Sequence, residues 1–288
     1  MEIAADVECA WPARAVLGEG PCWDARSRNV YWVDITGARL HALDIATSAK
    51  RTWAPRHRIF SLDTAPPHWN PPAQAAHWFI GCAEPGFGWI GVAGDEILFQ
   101  TLSHPELGQT DNRFNDGKAG PDGRYWAGTM HDAESEPSGS LYAFAPDGAA
   151  ARIDSGYIVS NGPAFSPDGR TLYHTDSARQ TIYAFDLDGA GQALRRRVLI
   201  EFGEGEGYPD GMTCDRMGDL WVAMWDGARI ERLSPDGRRL GELPIPTQRP
   251  TSCVFVNDTC RDLFITSAAI GAAADDALAG ALFRARLR

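Results

Sequence analysis

Residues 161–189, NGPAFSPDGRTLYHTDSARQTIYAFDLDG, contain two strand patterns separated by polar turns. The segments RTLYHTD and TIYAFDL alternate with a period of two, which is typical of β-strands. In the Pro-Asp-Gly turn between residues 167 and 169, proline presets φ, aspartate bonds its own backbone and glycine accepts a positive φ. The stretch therefore predicts two short strands, each preceded by a turn.

The same pattern recurs along the chain. It returns as GPCWDARSRNVYWVDITGARLHALDI from Gly20, as DGKAGPDGRYWAGTMHDAESEPSGSLYAFAPDG from Asp116 and as DGMTCDRMGDLWVAMWDGARIERLSPDG from Asp210. A degraded copy, TSCVFVNDTCRDLFITSAA, begins at Thr251. Short strands repeating at about 45–50 residues are the mark of a β-propeller. No segment has the periodicity of a long amphipathic helix.

The repeat predicts an all-β fold, a six-bladed β-propeller with four-stranded antiparallel blades, as a single domain over residues 1–288. The second blade has to lie between Ile59 and Gln100, where the match is poor and residues 63–78 form an inserted loop. The N-terminal segment AADVECAW, residues 4–11, is expected to complete the last blade. A two-domain β-sandwich protein is the alternative, and it explains the repeat less well.

Bulk composition excludes several classes of function. The 288 residues carry 38 acidic and 27 basic side chains, a net charge of −11, which argues against a nucleic-acid partner. No apolar run reaches the roughly 18 residues of a membrane span, and the N-terminus lacks the pattern of a signal peptide. The six cysteines are irregularly spaced without a CxxC pair, which favours reduced thiols and a cytoplasmic location.

Four polar residues share one phase of the repeat. Glu19, Asp116, Asn161 and Asp210 each stand directly before the recurring glycine. In a propeller the first strand of each blade lines the central channel, so these side chains should converge there. Clustered carboxylates are costly to desolvate, and a hard divalent cation such as Ca²⁺, Mg²⁺ or Mn²⁺ removes that cost. Asp-Gly and Asn-Gly are commonly plain turns, but glutamate is no turn former, so Glu19 favours the metal hypothesis.

Other notable residues are expected to be structural. Asp34 and Asp176 end aromatic strands and should accept hydrogen bonds from turn backbone, and His174 is expected to be a satisfied strand histidine. Four aromatic residues are expected to pack as core between blades: Trp32, Trp126, Tyr173 and Trp221. Tyr-Trp-Val-Asp at 31–34 is also similar to the repeat of extracellular six-bladed binding propellers, which keeps a non-enzymatic function open.

Four phrases together resemble one protein family. They are LGEGPCW at 17–23, NRFNDGKAGPDGRYWAGTM at 112–130, SNGPAFSPDGRTLYHTDS at 160–177 and YPDGMTCDRMGDLWVAMW at 208–225. In these phrases the chain resembles the senescence marker protein, regucalcin and gluconolactonase family over nearly its whole length. The segment GTMHD is also similar to bacterial pentonolactone and hexonolactone hydrolases of sugar-acid pathways.

The resemblance implies a six-bladed propeller with one divalent metal in its channel. The family's metal ligands fall on Glu19, Asn161 and Asp210, whereas Asp116 is not a usual ligand. The metal expected here is one of Ca, Zn, Mn, Mg or Fe. Three protein ligands leave coordination positions for a water and a carbonyl oxygen, so the ion can act as a Lewis acid.

The resemblance also implies a substrate and the residues that contact it. Arg113 and Asn115 match the family's substrate contacts, and a further contact past GTM falls on Asp132 or Ala133, of which Asp132 is the prediction. The expected reaction is metal-dependent hydrolysis of a small-molecule sugar (aldono-) lactone to the aldonic acid, with Asp210 as candidate general base. The sequence contains no Gly-x-Ser-x-Gly elbow, so a serine hydrolase is not expected.

Two alternatives stay open. One is an esterase or phosphotriesterase-type propeller hydrolase, and the other is a non-catalytic propeller that binds calcium or another ligand. The sequence makes no prediction of oligomeric state.

Overall fold

Short antiparallel strands account for nearly all the regular structure. The structure is a computed structural model that describes residues 1–75, 77–188, 191–257 and 259–288. Its described residues form 24 strands and one 3₁₀ helix, Ser177–Arg179, without any α-helix. The strands assemble into six four-stranded antiparallel sheets. No helix among the described residues is long and apolar enough to cross a bilayer.

The strands of the first half of the chain build three blades after an initial strand that belongs to the last blade. The initial strand is β1 (Ala5–Trp11). Blade 1 comprises β2 (Gly18–Asp24), β3 (Asn29–Asp34), β4 (Arg39–Asp44) and β5 (Lys50–Trp53). Blade 2 comprises β6 (Ile59–Thr64), β7 (His77–Ala83), β8 (Gly86–Ala93) and β9 (Glu96–Ser103). Blade 3 comprises β10 (Asn112–Ala119), β11 (Tyr125–His131), β12 (Gly139–Phe144) and β13 (Ala150–Tyr157).

The second half of the chain builds the other three blades. Blade 4 comprises β14 (Ser160–Phe165), β15 (Thr171–Asp176), β16 (Thr181–Leu187) and β17 (Ala193–Glu201). Blade 5 comprises β18 (Tyr208–Cys214), β19 (Leu220–Trp225), β20 (Arg229–Leu233) and β21 (Arg239–Pro244). Blade 6 comprises β22 (Pro250–Val256), β23 (Asp262–Ser267), β24 (Leu282–Leu287) and, on its outer edge, β1.

The six innermost strands form a closed ring. In order around the ring, each contacts the next: β2, β6, β10, β14, β18 and β22, with β22 again touching β2. The outer strand β1 pairs with β24 in a register that sets Ala5 opposite Leu287, so the last blade joins two distant segments of chain. These contacts confirm the predicted six-bladed β-propeller, and residues 4–11 complete the last blade as expected.

Side chains packed between neighbouring blades form the core. Trp32, Trp126, Trp221 and Tyr173, all predicted to be core residues, are 0–2% exposed. The predicted inserted loop is present but shorter than expected: residues 65–75 form a loop, whereas residues 63–64 end β6 and residues 77–78 begin β7. Its Trp69 is buried and donates through Nε1 to the carbonyl of Gly123 at 2.8 Å, which holds the insertion against blade 3.

Two strand-ending aspartates organise turns, as the sequence predicted. Asp34 accepts hydrogen bonds from the backbone N–H groups of Val16 and Leu17, both at 2.9 Å. Asp176 accepts from Ile158 and Val159, both at 3.2 Å. Each aspartate therefore fixes the segment that enters the inner strand of its own blade.

His174 is a buried strand residue, as expected, and its Nε2 lies 2.9 Å from Oγ of Ser160. Its Nδ1 has no hydrogen-bond partner in the described part of the protein, so the ring is only half satisfied. Burial lowers the pKa of His174 to about 3, with a smaller contribution from the charge of Arg196.

Candidate metal centre and active site

Breaks in strand register place the site residues at one end of the channel. The inner strand of each of four blades has a shift against its neighbour, between Glu19 and Cys22, Phe114 and Gly117, Asn161 and Ala164, and Pro209 and Met212. A bulge of this kind bends the strand and re-aims a side chain. Gly20 and Gly162 supply the positive φ values, 50° and 71°, that the backbone requires directly after Glu19 and Asn161.

The re-aimed side chains share one cavity. Its volume is about 570 Å³, and its lining includes five of the six residues predicted from the sequence: Glu19, Arg113, Asn115, Asn161 and Asp210. Blade 1 supplies the glutamate, blade 3 the arginine and Asn115, blade 4 the second asparagine and blade 5 the aspartate. The convergence expected from the repeat phase is therefore present for three of its four residues.

Asp116 is the fourth phase residue, and it does not line this cavity. Its Oδ1 accepts the backbone N–H of Gly117 at 2.7 Å, and its side chain is buried. The ammonium group of Lys118 partly offsets the effect of burial, which raises the pKa of Asp116. Asp116 therefore adds negative charge to the channel beside the cavity.

The carboxylates of Glu19 and Asp210 are both buried in the cavity, where their negative charges repel each other. Desolvation raises the pKa of Glu19 above its ordinary value, and the neighbouring Asp116 raises it further. Desolvation also raises the pKa of Asp210 well above its usual range, followed by repulsion from Glu19 and Asp116. A bound cation would relieve both penalties.

The donor set fits a hard divalent ion. Asp210 Oδ1 is buried without a hydrogen-bond partner among the described residues. Glu19 uses Oε2 to accept the N–H of Gly20 at 3.0 Å, which leaves its other oxygen as a donor to a metal. Asn161 donates through Nδ2 to Ser177 Oγ at 2.9 Å, so its Oδ1 faces the other way. Two carboxylates and an amide oxygen suit ions such as Ca²⁺, Mg²⁺ or Mn²⁺.

The amide is essential to this candidate. Within the described ranges, no group of three or more His, Cys, Asp or Glu side chains is placed to hold a metal ion. Of the three candidate ligands, Glu19 and Asp210 are carboxylates, and the third oxygen comes from the amide of Asn161.

A hydrogen-bond chain connects the ligands with the predicted substrate contacts. Arg113 donates through Nη1 to Oδ1 of Asn115 at 2.6 Å and to the carbonyl of Phe114 at 3.0 Å. Asn115 then donates through Nδ2 to Oδ1 of Asn161 at 2.8 Å and to the carbonyl of Ser160 at 2.9 Å. The arginine and both asparagines are thus held as one network in the cavity wall.

Asp132 lies behind Arg113 instead of in the cavity lining. Its Oδ1 accepts the Nε–H of Arg113 at 2.7 Å, and its side chain is 54% exposed. Glu134, two residues further on, lines the cavity instead. Its φ of 56° shows a left-handed turn after β11, a feature that the segment His131–Glu134 does not reveal by composition.

The sequence analysis missed a second wall of the cavity, formed by blades 5 and 6. Tyr208 and Trp225 are opposite each other in the β18–β19 register, and both line the cavity with Arg249 and Ile270. Tyr208 is 42% exposed and Ile270 is 44% exposed. The sequence could have indicated this wall, because the phrase YPDGMTCDRMGDLWVAMW begins with Tyr208 and ends with Trp225.

The chain is similar to known proteins along most of its length. Residues 17–269 match the family model described as SMP-30/Gluconolactonase/LRE-like region. A Pseudomonas putida protein named 6-deoxy-6-sulfogluconolactonase is 34% identical over 288 residues, which cover 98% of this chain and 94% of that protein. Regucalcin of Gallus gallus is 33% identical over 273 residues, which cover 92% of this chain and 87% of that protein.

A solved structure is also similar along the whole chain. A protein described as the calcium-binding protein regucalcin from Agrobacterium tumefaciens superposes with a TM-score of 0.87 at 25% identity. The similarity covers 100% of this chain and 96% of that one.

Proposed function

This chain belongs to the SMP-30/gluconolactonase/LRE-like family, and we propose that it is a lactonase that hydrolyses a sugar lactone to the open aldonic acid with the help of one divalent metal ion. The observation that carries the proposal is the convergence of Glu19, Asn161 and Asp210 beside the donors of Arg113 and Asn115 in one cavity. The relative named 6-deoxy-6-sulfogluconolactonase supports a lactone as the substrate class.

Glu19, Asn161 and Asp210 would hold the metal through their side-chain oxygens. A divalent ion bound there supplies Lewis-acid polarisation of the lactone carbonyl and lowers the pKa of a bound water. The calcium-binding protein described above supports a hard ion, and Ca²⁺ heads the candidates Ca, Zn, Mn, Mg and Fe.

Asp210 is the candidate general base. The Asp210 side chain lines the cavity, and we propose that its carboxylate, besides holding the metal, accepts a proton from water. The water oxygen bonds to the carbonyl carbon, and the bond from that carbon to the ring oxygen breaks. The proton held by Asp210 passes to the departing ring oxygen, which becomes the hydroxyl of the acid. One water is consumed overall.

Arg113 and Asn115 are the candidate substrate contacts. The guanidinium is fixed through Nε by Asp132 and through Nη1 by Asn115, which leaves the N–H groups of Nη2 as candidate donors to a substrate. Such donors suit ring hydroxyls and the ester oxygen of a lactone. Asp132 is proposed to influence the substrate by positioning Arg113.

The test is a lactone panel. Purified protein is stripped of metal, and hydrolysis of five- and six-membered aldonolactones is followed with each candidate ion added back, after subtraction of the uncatalysed rate. Metal-dependent turnover of at least one aldonolactone supports the proposal. Faster turnover of aryl esters or phosphotriesters favours the esterase alternative, and rates equal to the uncatalysed ones throughout would refute a lactonase.

The name regucalcin and the printed description of the solved relative as calcium-binding favour a second candidate, a calcium-binding propeller without catalysis. Tight Ca²⁺ binding with no hydrolysis in the panel would support it.

We take the compartment to be the cytoplasm, because all six cysteines are free thiols, the state expected in a reducing environment.

A further inference from the structure

The cavity contains a second guanidinium that the proposed reaction does not use. Arg249 lines the cavity and stands directly before β22 in blade 6, whereas Arg113 belongs to β10 in blade 3. Blades 3 and 6 are opposite each other in a ring of six. The two cations therefore flank the metal site from opposite sides.

Arg249 is held rigidly by three neighbours. It donates through Nε to Oδ1 of Asp226 at 2.6 Å and through Nη1 to the carbonyl of Ile270. Its guanidinium carbon lies 4.9 Å from the ring centroid of Trp225, so the group is stacked on an aromatic face. Its other terminal nitrogen, Nη2, makes no hydrogen bond to the described residues, and the side chain is 20% exposed.

A fixed, partly buried guanidinium with an unused N–H edge is suited to an anion. Guanidinium groups bind carboxylate, sulfonate and phosphate oxygens by charge-assisted hydrogen bonds, which are about twice as strong as neutral ones. On the opposite wall, Arg113 is already paired with Asp132, and Glu134 adds a further negative charge that repels an anion. The two walls together orient an acidic group toward blade 6.

Resting on the proposed lactonase function, we propose that Arg249 forms an anion subsite and that the preferred substrate is a sugar lactone bearing an acidic group on an exocyclic carbon. The lactone carbonyl then lies at Glu19, Asn161 and Asp210, and the acidic group lies against Arg249. The phenol of Tyr208, in the same wall, is available as an additional donor.

The test compares matched substrates. The panel contains a neutral aldonolactone and its 6-carboxylate, 6-sulfonate and 6-phosphate counterparts. Comparing the three acidic lactones shows which anion the subsite prefers. We expect wild-type kcat/KM to be higher for at least one acidic lactone, and higher salt to reduce that rate selectively. In R249Q, kcat/KM for the acidic lactone should fall by about 10-fold or more, while that for the neutral one changes little.

Two further variants separate anion binding from a structural role. D226N removes the acid behind Arg249, so the preference for acidic lactones should hold or increase, whereas a purely structural ion pair predicts equal losses for all substrates. R51Q is the matched control, because Arg51 also stacks on a tryptophan, Trp53, at 4.8 Å and pairs with Asp95, but lies outside the cavity. It should leave the substrate ratio unchanged.

Binding of the corresponding lactams, which are not hydrolysed, is measured by calorimetry in parallel. Tighter binding of an acidic lactam that is lost in R249Q supports the subsite even if no lactone is turned over, in which case only the lactonase proposal fails. Equal binding and equal turnover of neutral and acidic compounds, or equal losses for both in R249Q, would overturn the subsite.

Discussion

Asn115 of blade 3 donates a hydrogen bond to Asn161 of blade 4, with 2.8 Å between Nδ2 and Oδ1. Asn161 in turn donates to Ser177 Oγ, and that hydroxyl donates to the carbonyl of Pro209 at 2.6 Å. The orientation of the Asn161 amide is thereby set from both ends. The proposed metal ligand and the proposed substrate contact belong to one network.

Ser177 is expected to control metal affinity without touching the metal. Replacing it with alanine removes the acceptor that holds the Asn161 amide, so the affinity for the divalent ion should drop by about 10- to 100-fold, the usual effect of an outer partner of a ligand. Competition against a chelating indicator measures it. S166A is the control, because Ser166 bonds only to its own exposed turn, and an unchanged affinity in S177A would show that Asn161 needs no such support.

Asp210 should be the most sensitive catalytic position. D210N keeps the size of the side chain but removes its charge and basicity, and kcat should fall by about 100-fold or more at saturating metal, the scale of a lost general base. D116N is the matched control in the same channel, and its effect should be far smaller because Asp116 lies outside the cavity. Full turnover of metal-loaded D210N would rule out Asp210 as the base.

Chelation should remove both activity and stability. An ion that binds only the folded state at 100 times its Kd contributes about 2.7 kcal/mol to the free energy of unfolding. Its loss also leaves Glu19 and Asp210 facing each other without compensation. Calorimetric melting before and after dialysis against a chelator, with elemental analysis of metal content, measures the change, and activity should return on addition of the correct ion. Unaltered melting and rate in a metal-free sample would contradict this.

Arg113 should determine binding of hydroxyl-rich substrates. R113A removes donors to the substrate and frees the Asn115 amide, so KM should rise much more for a sugar lactone than for an unsubstituted small lactone. D132N is expected to show a weaker form of the same pattern, since Asp132 acts through Arg113. Equal increases in KM for both lactones would indicate a general loss of site structure.

His174 should make the fold sensitive to acid. Its pKa in the folded protein is about 3, against 6.5 as the ordinary value, so the unfolded chain binds the extra proton first as pH falls. The free energy of unfolding should therefore decrease from pH 6.5 downward, by up to about 1.4 kcal/mol per pH unit from this group. Denaturant unfolding of wild type and H174Q at several pH values checks it, because the variant should show a shallower slope. Identical slopes would exclude the histidine as a source.

Most of the fold was predictable because the repeat carries it. The phrases that begin at Gly20, Asp116, Asn161 and Asp210 each correspond to the inner strands of one blade. Blade 2 could be placed only by subtraction, because its sequence matches the repeat poorly and an inserted loop that includes residues 65–75 separates its first two strands. Completion of the last blade by β1 was predictable because a propeller ring has to close and the N-terminal segment 4–11 could supply a strand.

Only part of the site was predictable, and the strand bulges explain why Asp116 was wrongly expected in the cavity. Phase alone treats Asp116 like Glu19, yet the bulge in β10 puts Asn115 in the cavity lining and leaves Asp116 outside it. A one-residue irregularity of this kind has no sequence signature beyond the glycine that follows. Arg249 was not predicted as a site residue, because it lies in a connection between blades, where the repeat has no common phase.

The pairing of β1 with β24 has a consequence for how the protein folds. Arg286 donates to Glu8 across 278 positions of sequence, so the outer edge of blade 6 joins residues from opposite ends of the described chain. Five blades are built from local hairpins and can form as the chain leaves the ribosome, whereas the sixth waits for β24. Non-local pairings of this kind slow folding, because the entropy of loop closure is lost before the contact is gained. Until β24 pairs with it, β1 presents an unpaired strand edge, which is the kind of surface that can pair with another chain.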